Sequence, residues 1–292
     1  MPVITVGIPF YNNEKTLLNA VRSILSQTFK DWELILLDDG STDGSLNVAR
    51  SIKDPRIKVI SDGRNMKLAA RLNQIIDLAQ GEYIARMDAD DICSPMRIQQ
   101  QLELLKKNNN IDVVGCGVIY LSDKDIPLGH TTALQNHEEI CKQPYRGFGI
   151  CHASIIARKS WYRKFRYDES IQLGQDFNLW LRSYRDSRFA NIPEPLYYYR
   201  FESSYSLKKQ FRDRFRSSIY IFEHYKKESL YKALFYFLIQ YVKIAIEAGF
   251  YIVGAKKKLL SRRYSQLTNA EVTAYTSEIK KIKNTELPIV AT

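Results

Sequence analysis

Three carboxylates stand within four positions of this sequence, at Asp88, Asp90 and Asp91, directly after the apolar stretch 83–87. Negative charge this concentrated at the end of a buried strand costs free energy unless a cation shares the site. Closely spaced oxygen ligands suit a hard divalent ion such as Mg²⁺ or Mn²⁺, which usually also takes phosphate oxygens of a substrate. An isolated acidic triplet is more often a solvated turn that caps the next helix, so the surrounding elements must decide between the two interpretations.

The elements before the triplet alternate between strands and helices. Apolar, β-favouring runs predict strands at 4–8, 32–37, 57–60 and 83–87, and apolar residues at helical spacing predict a helix in each interval. Pro9 is expected to stop the first strand. Continuous apolar strands separated by helices predict an α/β fold with a mostly parallel central sheet, which helices cover on both faces through right-handed crossovers.

Polar residues follow three of these four strands, at 9–13, 38–43 and 88–91. Because ligands bind beyond the carboxyl ends of the strands in such sheets, these three segments are expected to converge on one edge. Their convergence favours a binding site over a surface turn for the acidic triplet.

Beyond the triplet the same patterns predict two helices and four strands. The helices are expected over 98–105 and 176–184, and the strands over 113–121, 152–158, 189–192 and 196–201. The intervening stretch 122–150 is rich in turn residues and its structure is not predicted. Asp176 falls in the first turn of the second helix, where an aspartate frequently caps the helix. His152 is expected to be a hydrogen-bonded structural histidine.

The C-terminal third is basic and helical. Residues 201–292 carry 17 Lys and Arg against 8 Asp and Glu, so they hold most of the net charge of +11. In 230–255 a narrow stripe of polar residues runs along an otherwise apolar helix, and the basic runs 256–258 and 262–263 follow. Such a helix fits the membrane interface, with cations reaching anionic headgroups, and it equally fits a bundle helix packed on the rest of the protein. A capping box at Thr268 predicts the start of a last helix.

The four cysteines show no CxxC pair and no disulfide framework, which indicates reduced core thiols and a cytosolic setting. A chain of 292 residues suggests one large domain or one domain with an appendage.

Four stretches resemble glycosyltransferase family 2, the inverting nucleotide-diphospho-sugar transferases of the GT-A fold. In chain order they are ITVGIPFYNNEKTLLNAVRSILSQTF, ELILLDDGSTDGS, GEYIARMDADDICSP and GQDFNLWLR. Each is weak alone, but four in the family's order and spacing over about residues 3–200 are specific. The resemblance implies transfer of one sugar from a nucleotide donor to an acceptor hydroxyl. It also implies a catalytic domain at 1–204, divided into a nucleotide-sugar half (1–121) and an acceptor half (122–204), followed by a basic helical region at 205–292.

The resemblance also implies roles for the acidic residues. Asp90 would ligate Mn²⁺ or Mg²⁺, Asp88 would support it through contacts with the metal or with the donor ribose, and Asp91 would shape the loop. Asp39 matches the family aspartate that contacts the nucleotide base. Asp176 would be the general base, since direct displacement requires a carboxylate near the acceptor hydroxyl.

Four further residues are weaker candidates for the donor site. Pro9 and Tyr11 would frame the nucleotide, Arg200 would reach the diphosphate, and Arg71 would face the phosphates unless it is a solvated helix residue. Two departures from the family pattern are Gln175, where relatives often have Glu, and Glu202, where many have His.

The resulting hypothesis is a metal-dependent transferase that uses a UDP-sugar and acts on a lipid-linked glycan acceptor in bacterial surface polysaccharide or lipopolysaccharide synthesis. It would bind the inner face of the cell membrane through 207–264 as a peripheral protein. A sugar nucleotidyltransferase is disfavoured because the first strand leads into Pro9 and Tyr11 rather than a glycine-rich loop. A nucleic-acid-binding module is disfavoured because the aromatic residues of the basic region lie in apolar helix faces, so no nucleic-acid partner is expected.

Overall fold

The computed structural model describes residues 1–201, 207–253 and 264–288. Over these residues the chain forms nine strands and ten α-helices. The strands are β1 Ile4–Phe10, β2 Trp32–Asp38, β3 Ile57–Ile60, β4 Tyr83–Arg86, β5 Ile92–Cys93, β6 Val113–Leu121, β7 Pro127–Thr131, β8 Ile156–Arg158 and β9 Phe189–Arg200. The helices are α1 Leu17–Leu25, α2 Ser45–Ser51, α3 Lys67–Leu78, α4 Arg97–Lys107, α5 His137–Ile140, α6 Lys159–Lys164, α7 Gln175–Ser183, α8 Leu207–Tyr225, α9 Leu230–Ile252 and α10 Asn269–Lys283.

The strands form one sheet in the order β3-β2-β1-β4-β8-β6-β9-β5, with β7 beside β6. The first four strands are parallel to one another, as their continuous apolar sequences predict. Beyond β4 the sheet is mixed, because β8 runs antiparallel to both β4 and β6 whereas β6 and β9 are parallel. The predicted α/β class, with helices on both faces of a central sheet, is confirmed.

Helices cover the two faces of the sheet through separate apolar cores. One core joins β1 and β2 to α1 and α4, with Leu17, Ile24 and Leu102 buried between them. The other joins the opposite face to α3, α6 and α7, with Trp161 and Trp180 at its centre. Burial on both faces explains why these strand sequences are continuously apolar rather than alternating.

Pro9 does not stop the first strand, because β1 continues to Phe10 and Pro9 pairs with Leu37 of β2. The pairing of β1 with β4 ends at Gly7, so at Pro9 the strand has a hydrogen-bonded neighbour on the β2 side alone. A proline lacks an N–H donor and is tolerated where one side of a strand is unpaired.

Two other boundaries were predicted incorrectly. The expected strand over 152–158 begins as a 3-10 turn at His152–Ser154 and is a strand only over Ile156–Arg158. The two short strands expected around the prolines are one strand, β9, whose pairing with β6 shifts register near Gly117. An irregularity at this point accommodates the prolines without ending the strand.

The C-terminal helices pack in two places. Helices α8 and α9 lie against each other and beside α7. Helix α10 packs on the far end of the sheet, where Ile279 and Ile282 share a core with β5, β6 and β9. Its predicted capping box is confirmed, since the Thr268 and Glu271 side chains each accept the other's backbone N–H. The basic residues 256–258 and 262–263, and Glu202, lie outside the described residues.

Candidate active site

The acidic triplet follows β4 at the carboxyl edge of the sheet, as predicted. One ligand oxygen from each of Asp88, Asp90 and Asp91 lies within 4.8 Å of the other two. Burial raises the pKa of Asp90, and the neighbouring charge of Asp88 raises it further. The donor set is therefore oxygen-only and carries concentrated negative charge, which fits a hard divalent cation.

Asp91 is the buried member of the triplet and ties the loop to β9. Its carboxylate accepts hydrogen bonds from the Tyr197 hydroxyl and the Arg200 amide, both at 2.8 Å. The Tyr197 oxygen in turn accepts the Asp88 amide at 3.2 Å. Burial raises the pKa of Asp91 well above its ordinary value, and Asp90 and Asp88 add to this rise. The geometry agrees with a loop-shaping role for Asp91.

Arg86, the last residue of β4, is an ionic partner of the triplet that the sequence patterns did not single out. It is buried and forms an ion pair with Asp88. Burial alone would lower the pKa of Arg86, but the Asp88 charge raises it above its ordinary value. The backbone oxygen of Arg86 accepts from the buried Arg97 guanidinium at 2.8 Å. The sequence does show an arginine within the stretch GEYIARMDADD, but the sequence of a strand does not indicate which way an arginine side chain points.

Asp176 lies across an open cleft from the acidic loop. This cleft, about 1010 Å³ in volume, is lined by Asp176, Arg86, Asp88 and His152 among others. Asp176 is the second residue of α7, whose N-cap is Gly174 with φ +70, a left-handed conformation that glycine adopts without strain. Burial raises the pKa of Asp176 above its ordinary value; the Phe177 amide and Arg86 act in the opposite direction. The fold thus brings Asp88 and Asp176 to one cavity although they are far apart in sequence.

Asp39 holds the start of α3. Its carboxylate accepts from the amides of Met66 at 2.7 Å and Lys67 at 3.1 Å, and from the Arg71 guanidinium at 3.0 Å. Arg71 also pairs with Asp62 at 2.6 Å and is fully buried. The alternative that Arg71 is a solvated helix residue is therefore wrong. Its contact with donor phosphates stays a prediction.

Two interlocked loops follow β1 and β2. Tyr11 is half-exposed at the end of β1, and the Asp39 amide donates to the Phe10 oxygen at 2.8 Å. The next residue, Asn12, has φ 56 and accepts from the Thr42 amide at 2.8 Å. Pro9 is buried within β1, so Tyr11 rather than Pro9 presents a free side chain at this edge.

Arg200 ties three loops together. Its guanidinium donates to the backbone oxygens of Asp90 and Asp123, both at 3.0 Å, and pairs with Asp125 at 2.5 Å. The neighbouring residue Tyr199 lines the cleft, whereas the Arg200 side chain holds the acidic loop from behind. A contact between Arg200 and the diphosphate stays a prediction.

His152 has the structural surroundings expected of it. Its Nε2 lies 2.7 Å from the Tyr167 hydroxyl, and burial lowers its pKa well below the ordinary value. The four cysteines are free thiols. Burial raises the pKa of Cys116 to about 11 and that of Cys151 to about 12, so neither is a reactive thiolate near neutral pH.

Helix α8 supplies a wall of the cleft that sequence reasoning missed. Asp213, Arg214 and Ser217 line it from α8, and Gln240 lines it from α9. In the sequence these residues belong to a basic helical region with no recognisable motif, so only the packing of α8 beside α7 reveals them.

Comparisons with known proteins agree with this geometry. Residues 5–166 match the profile described as Glycosyl transferase family 2. EpsE of Bacillus subtilis, classed among the glycosyltransferases, is 34% identical over 229 residues, which span 76% of this chain and 81% of that one. WcaA of Escherichia coli, assigned to colanic acid biosynthesis, is 30% identical over 194 residues, or 62% of this chain and 66% of that one.

Two solved structures share the fold. The complex of S. aureus TarS residues 1–349 with UDP-GlcNAc has a TM-score of 0.62 at 18% identity, covering 80% of this chain and 72% of that one. The mannosyltransferase PcManGT from Pyrobaculum calidifontis, in complex with GDP-Man and Mn²⁺, has a TM-score of 0.58 at 15% identity, covering 96% and 85%. Both likenesses are similarities of fold.

Proposed function

Because this chain belongs to glycosyltransferase family 2 and has the GT-A fold, we propose that it is an inverting, metal-dependent enzyme. It moves one sugar from a nucleoside-diphosphate donor, a UDP-sugar, to a lipid-linked glycan in bacterial surface polysaccharide or lipopolysaccharide synthesis. The observation that carries the proposal is the single cleft lined by both Asp88 and Asp176. Relatives in polysaccharide synthesis support the acceptor class.

The donor base binds between the loops that follow β1 and β2. The half-exposed Tyr11 ring stacks on the base, Pro9 supports the turn, and Asp39 contacts the base edge. Arg71 acts by holding Asp39, and Arg200 reaches the donor diphosphate from behind the acidic loop. The UDP-GlcNAc bound by TarS supports a uridine donor.

Asp90 and Asp88 hold Mn²⁺ or Mg²⁺ at the carboxyl end of β4. The close carboxylate oxygens of the triplet support this assignment, as does the Mn²⁺ in the PcManGT complex. When bound, the cation supplies neutralising charge for the nucleoside diphosphate that departs. Asp91 remains with Tyr197 and fixes the loop from which the two ligands project.

Asp176 takes the proton from the acceptor hydroxyl. As the acceptor oxygen forms its bond to the anomeric carbon, the bond from that carbon to the donor phosphate oxygen breaks. The electron pair leaves with the nucleoside diphosphate, and the configuration inverts because attack and departure occur on opposite faces. Arg86 pairs with Asp88, and its positive charge also favours the ionised form of Asp176.

The protein acts at the cytoplasmic face of the membrane. Over Leu230–Phe250, α9 is apolar and long enough to cross a bilayer by length and composition alone. Gln240 and Glu247 are buried against the protein, however, and the exposed side is mainly apolar, with Leu234, Leu238, Val242 and Ile246 each about half-exposed. This side fits an interfacial position, to which the basic segments 207–264 add attraction for anionic lipid. We divide the chain into a catalytic domain at 1–204 and a basic helical C-terminal region at 205–292, which contacts the membrane through 207–264 and packs on the sheet through α10.

A donor panel tests the function. Purified protein with Mn²⁺ is offered UDP-sugars and other nucleotide sugars, and donor binding and slow donor hydrolysis are measured. One or more donors should bind, and Asp90→Ala should abolish hydrolysis. Asp31→Asn is the control, since Asp31 is an exposed aspartate before β2, at the opposite edge of the sheet. The proposal fails if no donor binds, or if Asp90→Ala behaves as the wild type.

A further inference from the structure

The polar side of α9 is turned toward the catalytic cleft. Gln240 is buried and donates to the Tyr145 oxygen at 2.6 Å, and the ring of Tyr236 stacks on Tyr145 with centroids 4.0 Å apart. One and two turns further along the same side stand Lys243 and Glu247. This inward polar side and the exposed apolar side make α9 the reverse of an ordinary surface helix.

Three cations meet where α9 passes the mouth of the cleft. Arg146 and Arg214 line the cleft, from the turn at 144–148 and from α8. Lys243 is half-buried beside them and has no hydrogen-bond or ion-pair partner among the described residues. Glu247 pairs with Arg214 at 2.5 Å, so this group of four side chains keeps an excess of two positive charges.

We propose that Arg146, Arg214 and Lys243 form an anion subsite that binds the phosphate of a lipid-linked acceptor at the mouth of the cleft. The inference rests on the proposed transferase function and adds the group by which the acceptor is held. A phosphate there lies between the apolar side of α9, which contacts the bilayer, and the cleft that receives the acceptor sugar.

The chemistry of the subsite favours a phosphate over a neutral sugar. The Arg146 guanidinium can bind phosphate oxygens through paired N–H donors, and Lys243 adds a compact charge. Arg214, whose Nε and one terminal nitrogen donate to Glu247 at 3.0 and 2.5 Å, adds its positive charge beside them. Half-burial and the charges of Arg214 and Arg146 together lower the pKa of Lys243 to about 8. A bound dianion would relieve this repulsion between cations. Lys232, an exposed lysine nearer the start of the same helix, lacks the two arginine neighbours and provides a matched control.

Vesicle binding tests the subsite without turnover. The full chain is mixed with phosphatidylcholine vesicles that contain farnesyl diphosphate, with vesicles that contain phosphatidylglycerol at equal surface charge, and with phosphatidylcholine alone. Arg146→Gln and Lys243→Gln should each weaken binding to the farnesyl diphosphate vesicles about ten-fold, because each removes a charged hydrogen bond to phosphate. Both should leave binding to phosphatidylglycerol nearly unchanged, and Lys232→Gln should not select between the two lipids.

Two results would overturn the proposal. Equal losses on both anionic vesicles would assign the cations to general headgroup attraction, and unchanged binding on both would remove the subsite. Circular dichroism of each variant separates these results from unfolding. Donor hydrolysis by the wild-type protein is measured separately, so a failure of the transferase function is distinguishable from a failure of the subsite.

Discussion

Replacing Asp176 by Asn separates the two roles that this carboxylate can have. Asparagine keeps an acceptor oxygen for the first turn of α7 but cannot take a proton. If Asp176 is the general base, the rate of sugar transfer should fall about 10²- to 10⁴-fold. That range corresponds to about 3–5 kcal/mol in the activation barrier. If Asp176 only stabilises the first turn of α7 through its charge, Asp176→Asn should retain nearly full activity, and Asp176→Ala should lose no more than ~1 kcal/mol of stability.

The raised pKa of Asp176 gives the stability effect a definite sign. Burial raises this pKa in the folded state, so ionisation costs more in the folded than in the unfolded protein. The resulting penalty is absent below the unfolded-state pKa, grows as pH rises through the folded-state pKa, and is complete above it. Asp176→Asn removes the penalty and should therefore leave stability at neutral pH equal or higher, while activity is lost.

The assay combines transfer rates with denaturant unfolding across a pH series. Wild-type activity should rise with pH as Asp176 ionises, and this limb should be missing from the residual activity of Asp176→Asn. Asp168→Asn, a change at an exposed aspartate eight positions earlier, should behave as the wild type. Asp176→Asn with more than about a tenth of wild-type activity would refute the base assignment, since general-base catalysis contributes at least 10²-fold.

Two stability predictions concern the scaffold of the site, each measured by equilibrium unfolding in urea. Arg71→Met should lower the free energy of unfolding by about 3–5 kcal/mol, because it leaves the Asp39 carboxylate buried without its cation. The control is Arg64→Ala, at an exposed arginine that also pairs with Asp62, and it should cost less than ~1 kcal/mol. Similar losses in the two variants would refute this prediction. Ile282→Ala should lower the free energy of unfolding by about 2–5 kcal/mol, because the Ile282 side chain is fully packed against the sheet. Its control, Ile246→Ala at an exposed position, should change that free energy by less than ~0.5 kcal/mol. A small loss for Ile282→Ala would mean that α10 contributes little to the core.

The first half of the fold was predictable because its signals are local. Four continuous apolar strands with helices between them dictate a parallel sheet, and the polar residues after the strands then share an edge. The bounds of β3 and β6 matched the predictions. The prediction failed at Pro9 and across 189–201, where pairing with a neighbouring strand rather than local propensity decides whether the strand continues.

In the candidate site, too, the features that depend on local sequence were predictable and those that depend on packing were not. The sequence by itself determined the acidic triplet, the position of Asp39 after β2 and the position of Asp176 at a helix start, because each depends on residue type and local spacing. It could not show that Arg71 is buried or that Arg86 pairs with Asp88, since a side chain's direction depends on what packs around it.

Only the tertiary structure decided which surfaces face the cleft. The sequence pattern of the basic helical region fits two arrangements equally well, one with α9 packed on the protein and one with α9 lying on a membrane. In the structure Gln240 and Glu247 are packed against the protein while the apolar side is exposed, so the two interpretations are compatible. The physical reason is that helical periodicity specifies which residues share a face, while the direction of that face is set by contacts made with distant parts of the chain.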